Sequence, residues 1–542
     1  MTKTMTEGRA RLFASLTRSA EEGSLDRREF LALSSILGLT LATGLGAIPG
    51  PAVAQTPKRG GTLKVGQQIL PINDPRIYDW PQKSNVARQF CEPLVRWEAD
   101  GSFTPSLLES WEVSDDAKTY VLKVRQNATW TNGDAFTADD VVFNIRRMAD
   151  ANVEGNSMAS RLNALRNGEE KTAADDAIVK VDDFTVQLNL RMADITLIPS
   201  FGDYPALCVH PSFPDGGDLA TAPIGTGAFE LVTFEVSGKA VLKRRENGKW
   251  WGGEALLDGI EFIDLGTDEA AFASAFSSGE IDMNDESSAE YVELFETQGL
   301  VRETAVTATT MVARMNTLAE PYTDPKVRKA VQMAVDNAIV LELGLGGLGT
   351  VAENHHVAPI HPEYLALPVV SADPKAAIAL MTEAGHADTE LELISLDEGW
   401  LATSSAVIVG QLRDAGFKIK STSMPGSTFW NDWTKYPFST TNWGGRPLGV
   451  QIYAVAYRTG EAWNESAYSD PVFDATLEQA LGIFDPDKRR PLMGEMEKML
   501  QDSGVIIQPF WSQLIMHRVE AVKGYQRHPL REMHLEAVWL DR

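Results

Sequence analysis

"TPSLLESWEVSDDAKTYVLKVRQNATWTNGDAFTADDVVFNIRR" occupies residues 104–147. Trp111–Arg125 alternates apolar and polar residues on either side of Asp115-Asp116, which predicts two short strands joined by a polar turn. From Thr137 to Met148 the period changes. Val141, Ile145 and Met148 recur at helical spacing, Thr137 reads as the N-cap and Asp140 follows three residues on. Val179–Leu190 repeats the strand–turn–strand pattern, and Gly61–Gln67 alternates like a strand leaving a polar lead. Glu269–Ser278 reads as a short amphipathic helix. Asp324–Leu343 reads as a longer single helix with Val327, Ala330, Val331 and Ala334 as its apolar stripe. Strands and helices are mixed throughout, so the chain is α/β or α+β, and 542 residues suffice for two to four domains.

The chain is 44% hydrophobic and 23% charged, with a formal net charge of −26. This is the composition of a soluble globular protein. So acidic a body is repelled by phosphate backbones and anionic lipid, which argues against nucleic-acid binding. The two cysteines, Cys91 and Cys208, lie in no Cys-x-x-Cys or Cys/His spacing. Two separate buried thiols are expected, with a single disulfide as the alternative.

Residues 24–55 are the most hydrophobic stretch. Arg27 and Arg28 precede Phe30 and Leu31, an apolar run follows from Leu31 to Ile48, and Ala52-Val53-Ala54 comes after Pro49 and Pro51. The order is that of a signal peptide with an A-x-A cleavage site. Asp26-Arg27-Arg28-Glu29-Phe30-Leu31 resembles the twin-arginine signal. Cleavage is expected after Ala54, leaving a soluble periplasmic chain with net charge −27, because residues 1–54 carry six basic and five acidic groups. A retained anchor or a buried helix are the alternatives.

Gly344-x-Gly346-x-x-Gly349 matches a dinucleotide fingerprint formally, but a helix precedes it and a Pro/His loop follows. Helix termination and a flexible turn are expected instead. His355, His356 and His361 crowd that loop without a fixed carboxylate or cysteine partner, so they read as residues of a polar loop rather than as a metal site. No Walker loop, His-Glu-x-x-His or Gly-x-Ser-x-Gly occurs, and no catalytic residue, metal or cofactor is assigned. Trp430, Trp433, Trp443 and Trp463 crowd into about thirty residues beside Gly444, Gly445 and Arg446. Flat side chains with a cation and glycines suit a ligand cleft. Core packing is the competing reading for any one of these tryptophans.

The block at 104–147 resembles the signature of the family 5 extracytoplasmic solute-binding proteins, the dipeptide, oligopeptide and nickel receptors of ABC importers. Further blocks agree in order: Ile72–Pro75 ("INDP"), 225–234 ("GTGAFELVTF"), 247–253 ("NGKWWGG"), 277–283 ("SSGEIDM") and 324–336 ("DPKVRKAVQMAVD"). The resemblance covers roughly residues 60–540. It implies an α/β, two-lobed periplasmic-binding-protein clamp of type II with an additional inserted domain. Lobe I is expected at 55–100, 215–315 and 501–542, the insertion at 101–214 and lobe II at 316–500. It further implies a non-catalytic, monomeric receptor that closes on a small solute, most often a di- or oligopeptide, and delivers it to membrane permease and ATPase subunits. Dipeptide receptors of the family carry Trp-x-Gly-Asp in the second lobe, whose aspartate takes the peptide's α-ammonium. This chain has Trp443-Gly444-Gly445-Arg446, and a guanidinium favours an anion. Asn442, Trp443, Gly444, Gly445, Arg446 and Trp463 are the expected ligand residues, with Tyr78 and Trp80 beyond the early Asn73-Asp74-Pro75 loop. A cofactor-containing enzyme exported by the twin-arginine route, a chaperone or sensory receptor using the same clamp, and a receptor for a sugar, opine-like conjugate or metal chelate are the competing readings.

Overall fold

The computed structural model describes residues 57–542 except 247–248, 369–370, 398 and 484. Arg27, Arg28 and Ala54 lie outside the described residues. No helix among those described is long and apolar enough to cross a membrane. The chain forms two compact units. One comprises residues 57–305 with Leu514–Arg542, the other Val306–Gln513. The chain passes between them within two strands, Val301–Met315 and Phe510–Arg518.

The first unit is built on the strand Thr62–Gly66, whose Leu63 and Val65 are buried. It pairs in parallel with Gly259–Ile263 on one side and with Met283–Asn284 on the other. Lys239–Arg244 and Phe229–Phe234 extend the sheet antiparallel beyond Gly259–Ile263. Leu63, Val65, Phe90, Phe229, Ile260 and Phe262 share one core. Close backbone approach explains the Gly-Thr-Gly element before Phe229. Gly227 N–H donates to the Phe90 carbonyl at 2.9 Å, and a Cβ on Gly225 would lie 1.8 Å from that same oxygen.

A separate four-stranded antiparallel sheet holds Leu108–Val113, Thr119–Val124, Thr185–Asn189 and Ile178–Asp182 in that order. Both expected strand pairs are therefore present. The helix Ala138–Met148 starts as the spacing predicts. Asp139 N–H donates to Thr137 Oγ1, and Thr137 N–H donates to Asp140 Oδ2 at 2.7 Å. Asp140 also accepts from Trp130 Nε1 at 3.1 Å, which ties the cap to the preceding loop. Cys91 and Cys208 are both buried and unlinked.

In the second unit Val301–Met315 pairs antiparallel with Phe438–Trp443, from Thr310 opposite Trp443 to Met315 opposite Phe438. Leu391–Leu396 runs parallel to both Ile419–Met424 and Phe438–Trp443. The expected single helix over Asp324–Leu343 is two helices, Pro325–Met333 and Asn337–Leu345. Asp336 breaks it: its carboxylate accepts from Ala338 N–H at 2.9 Å and so starts a new helix, as Asp324 starts the first. The stripe itself is buried as expected. The second helix ends at Gly346 with φ 63° and a short strand, Gly349–Val351, follows. Gly346 thus terminates the helix and, with Gly347, turns the chain, while Gly344 lies within the helix and Gly349 opens the strand.

Candidate functional site

The strand Phe438–Trp443 alternates its side chains, so Thr441 and Trp443 face one side together. Both reach the same atom. Trp443 Nε1 and Thr441 Oγ1 each donate to Glu465 Oε1 at 2.7 Å. Glu465 Oε2 accepts from Arg314 Nε at 3.1 Å. Arg314 stands opposite Ser439 in the neighbouring strand, and its remaining nitrogens donate to the carbonyls of Trp433 and Tyr436. Burial pushes the Glu465 carboxyl up, while Arg314, Thr441 and Trp443 pull it back. All three partners are donors, so the group they fit is the carboxylate.

This ion pair fixes a run of indoles. Trp443 is buried, and its ring lies 6.2 Å from Trp433 and 6.0 Å from Trp463. Trp433 lies 6.2 Å from Trp430. The two ends of the run, Trp430 and Trp463, are each 38% exposed. The four tryptophans that crowd together in sequence are therefore one assembly, buried at its centre and open at its ends.

The segment after Trp443 is held by its backbone. Gly445 N–H donates to Thr309 Oγ1 at 3.3 Å, and a Cβ there would press on the Ala308 backbone at 3.2 Å. The Arg446 carbonyl faces His361 Nε2 at 2.9 Å. His361 Nδ1 accepts from Ala358 N–H at 2.9 Å, so the proton sits on Nε2 and the ring is neutral. Arg446 is half-buried beside exposed Gly444, and its Nη1 donates to the Gly445 carbonyl at 3.3 Å. Asn442 is half-buried opposite Met311.

The expectation of a polar loop for the histidines is corrected here. His355, His356 and His361 are fully buried. The His356 ring packs against Trp443 at 5.5 Å, Tyr457 at 5.7 Å and Trp511 at 6.2 Å, and its Nδ1 is 2.8 Å from the Tyr457 hydroxyl. Burial lowers His355 and His356 to about 3, and lowers His361 as well. The segment is buried because side-chain amides satisfy its backbone. Asn337 Nδ2 donates to the Ala352 carbonyl and Gln501 Nε2 to the Glu353 carbonyl, each at 2.9 Å. Among the described residues no three His, Cys, Asp or Glu side chains stand where they could share a metal ion.

Tyr78 and Trp80 belong to the first unit. Tyr78 is buried in its core and Trp80 is 45% exposed at the start of the helix Pro81–Ala87. Nearby, Asp74 is occupied by Arg76 and Arg147 at 2.8 and 2.7 Å. The same unit holds a cavity of about 260 Å³, lined among others by Arg88, Glu92, Arg96, Trp250, Trp251 and His534. Glu92 accepts from both indoles, Trp250 Nε1 at 3.0 Å and Trp251 Nε1 at 2.8 Å, and burial lifts its carboxyl to about 7. The arginines are paired internally, Arg88 with Glu532 and Arg96 with Glu98 and Glu536.

Glu465, Arg314, Thr309, His356 and His361 are the site residues that sequence reasoning missed. Glu465 lies two residues beyond Trp463, and that proximity is its one signal in the sequence.

Comparison with known proteins gives a consistent result. The family model of bacterial extracellular solute-binding proteins, family 5, matches residues 102–465. The dipeptide-binding protein DppE of Bacillus subtilis is 25% identical over 94% of this chain and 99% of its own. The periplasmic oligopeptide-binding protein OppA of Salmonella typhimurium is 23% identical over 90% of this chain and 94% of its own. The ABC transporter substrate-binding protein CtaP of Listeria monocytogenes superimposes with a TM-score of 0.78 at 20% identity, covering 90% of this chain and all of that one.

Proposed function

Because the chain belongs to the bacterial extracellular solute-binding proteins of family 5, we propose that it is the periplasmic substrate-binding component of an ABC importer and that its solute is a di- or oligopeptide or a peptide-like compound. The observation that carries the reading within the molecule is the run of four tryptophans anchored by the buried Arg314–Glu465 pair. An assembly of edge-to-face indoles, buried at Trp443 and part-exposed at Trp430 and Trp463, gives rigid aromatic faces at little entropic cost. The names of the relatives, dipeptide- and oligopeptide-binding proteins, support the ligand class.

On this reading the protein is a non-catalytic monomer. It is exported with the signal peptide of residues 1–54, with Arg27 and Arg28 as the twin arginines. Capture proceeds by closure of lobe I (55–100, 215–315, 501–542) and lobe II (316–500), with 101–214 as the inserted domain. The ligand favours the closed state by the free energy of its added contacts. Asn442, Trp443, Gly444, Gly445, Arg446 and Trp463 are the proposed contacts in one unit, Tyr78 and Trp80 in the other.

The test is mass spectrometry of the solute that co-purifies with the mature chain, followed by calorimetry with that solute and with synthetic dipeptides. The expected result is an unaltered peptide-like compound bound with micromolar or tighter affinity. Chemical conversion of the bound compound on incubation, or a coloured cofactor in the purified protein, would overturn the reading.

A further inference from the structure

Six arginines are buried among the described residues. Five of them have a carboxylate or a backbone carbonyl as partner. Arg76 and Arg147 meet Asp74, and Arg314 meets Glu465. Arg245 donates to the carbonyls of Thr129, Thr226 and Trp130, and Arg489 to that of Ile483. The sixth, Arg527 of the first unit, is 4% exposed, and none of its three nitrogens has a partner in hydrogen-bonding geometry among the described residues. The Tyr525 hydroxyl is its near polar neighbour: burial raises that phenol and Arg527 lowers it. One phenol oxygen can take at most two of a guanidinium's five N–H groups. The acids around the pair are engaged elsewhere. Glu286 pairs with Arg531 at 2.8 Å and Glu303 with Arg518 at 2.6 Å. Asp285 is half-buried and accepts from Gln82 Nε2 at 3.2 Å. Burial and Glu286 lift its carboxyl to about 6, and Arg527 is among the groups that pull it back. His528 is a neutral ring, because its Nδ1 accepts from Leu530 N–H at 3.1 Å and its Nε2 faces the Trp97 carbonyl at 3.1 Å.

The place of this arginine in the fold is specific. Asp285 follows the strand Met283–Asn284 directly, and its N–H donates at 3.1 Å to the carbonyl of Gly66, the last residue of Thr62–Gly66. Those two strands are parallel, and Arg527 lies within electrostatic reach of Asp285 at their carboxyl ends. That is the end of an α/β sheet where solutes bind. The segment carrying Arg527 is also fixed in place. Asn85 Nδ2 donates to the Arg531 carbonyl at 3.0 Å, and Met533 N–H donates to Asn85 Oδ1 at 3.1 Å.

From this juxtaposition we propose that Arg527 is a ligand-binding residue of the first unit and that it takes a carboxylate of the captured solute. The inference rests on the receptor reading above and adds to it the chemical class of the solute, an organic acid such as a peptide with a free carboxyl end. A carboxylate accepts two parallel hydrogen bonds from a guanidinium, a pairing that a phenol cannot supply. Beside Asp285 the single negative charge of a carboxylate is tolerated better than the two of a phosphate. A buried guanidinium short of partners weighs against the ligand-free fold, and the solute relieves that cost on binding.

Calorimetry on the mature chain tests this with L-alanyl-L-phenylalanine, its C-terminal amide and sodium acetate. The wild-type protein is expected to bind the acid about ten- to a hundredfold more tightly than the amide. In Arg527→Met the acid and the amide should come within about threefold of each other. The ligand-free variant should melt no lower than the parent, because an apolar side chain of similar length replaces a buried cation. Arg527→Lys keeps the charge and loses the fork, so its preference for the acid should survive at an intermediate ratio. An acid-to-amide ratio unchanged in both variants, or a melt several degrees lower in Arg527→Met, makes the guanidinium a structural partner of Tyr525 and Asp285. Either result overturns the inference and leaves the receptor reading intact. Acetate bound as tightly as the dipeptide identifies a small free anion as the occupant and overturns the assignment to the solute. Mass spectrometry of the compound that the wild-type chain releases on unfolding gives a check independent of the probes. A compound with a free carboxyl group is expected, and one without it overturns the inference. If no probe binds and no compound is released, the receptor reading fails and the inference falls with it.

Discussion

Replacing Glu465 by alanine should be among the most damaging single changes in the second unit. Its two oxygens take hydrogen bonds from Trp443 and Thr441 at 2.7 Å and from Arg314 at 3.1 Å, all buried. Removing the carboxylate leaves the Arg314 charge with only the Trp433 and Tyr436 carbonyls. An uncompensated buried partner of this kind costs about 3–5 kcal/mol. A unit of roughly 150–250 residues shifts by about 2–4 °C per kcal/mol, so the melt should fall by roughly 6–20 °C. Thermal unfolding followed by tryptophan fluorescence reads it directly, because the pair organises four tryptophans. Glu465→Gln keeps an acceptor for Trp443 and Thr441 and should lose less, about 2–3 kcal/mol. The double replacement Arg314→Met with Glu465→Leu should recover only part of the loss of either single variant, since it removes the unpaired charge but leaves Trp443 Nε1 and Thr441 Oγ1 without their acceptor. If Glu465→Ala melts within about 2 °C of the parent at pH 7, the pair does not anchor the indoles and the site argument built on it fails.

Gly225→Ala places a methyl where the Phe90 carbonyl stands, 1.8 Å away, and should cost about 3 kcal/mol or prevent accumulation of folded protein, as read by soluble yield and melting. His355 and His356 have folded values lowered to about 3 by burial, so their contribution is full above about pH 6.5 and is lost at about 1.4 kcal/mol per pH unit for each as pH falls toward 3. His356→Gln should flatten the acid limb of a melting-temperature profile between pH 6 and 4, and an unchanged limb would contradict it. Glu497 goes the other way: burial pushes its carboxyl up to about 9, so the stability it contributes is present below the unfolded value of about 4.3 and lost as pH rises through 9. Glu497→Gln should raise the melting temperature at pH 8 and leave it unchanged at pH 4; no gain at pH 8 would refute the assignment.

What was legible in the sequence is local. The capping box at Thr137 and Asp140 and the strand pairs around Asp115-Asp116 and Asp182-Asp183 arise within a few residues, and they stand where the spacing puts them. Other elements left weaker traces. The strand Val301–Met315 has 15 residues, and from Thr307 onward every one is buried. A strand covered on both faces has no alternation to read. The break at Asp336 was hidden for another reason: an apolar stripe continues across it, and the capping carboxylate outweighs the stripe.

The site divides along the same line. The tryptophan crowd and its adjacent Arg446 were visible because they are neighbours in sequence. Arg314 reaches Glu465 across 151 positions, and His356 reaches Tyr457 across 101, so neither pairing left a local pattern. The histidines illustrate the consequence. Three in a short stretch between glycines and prolines fit a solvated loop until Asn337 and Gln501 are seen to satisfy the backbone from elsewhere. Glu465 is the sharper case. It lies two residues from Trp463, yet nothing local marks it as the partner of Arg314, Thr441 and Trp443. The net charge beside Trp443 is then set by which acids are already taken rather than by how many are near in sequence, and only the fold supplies that count.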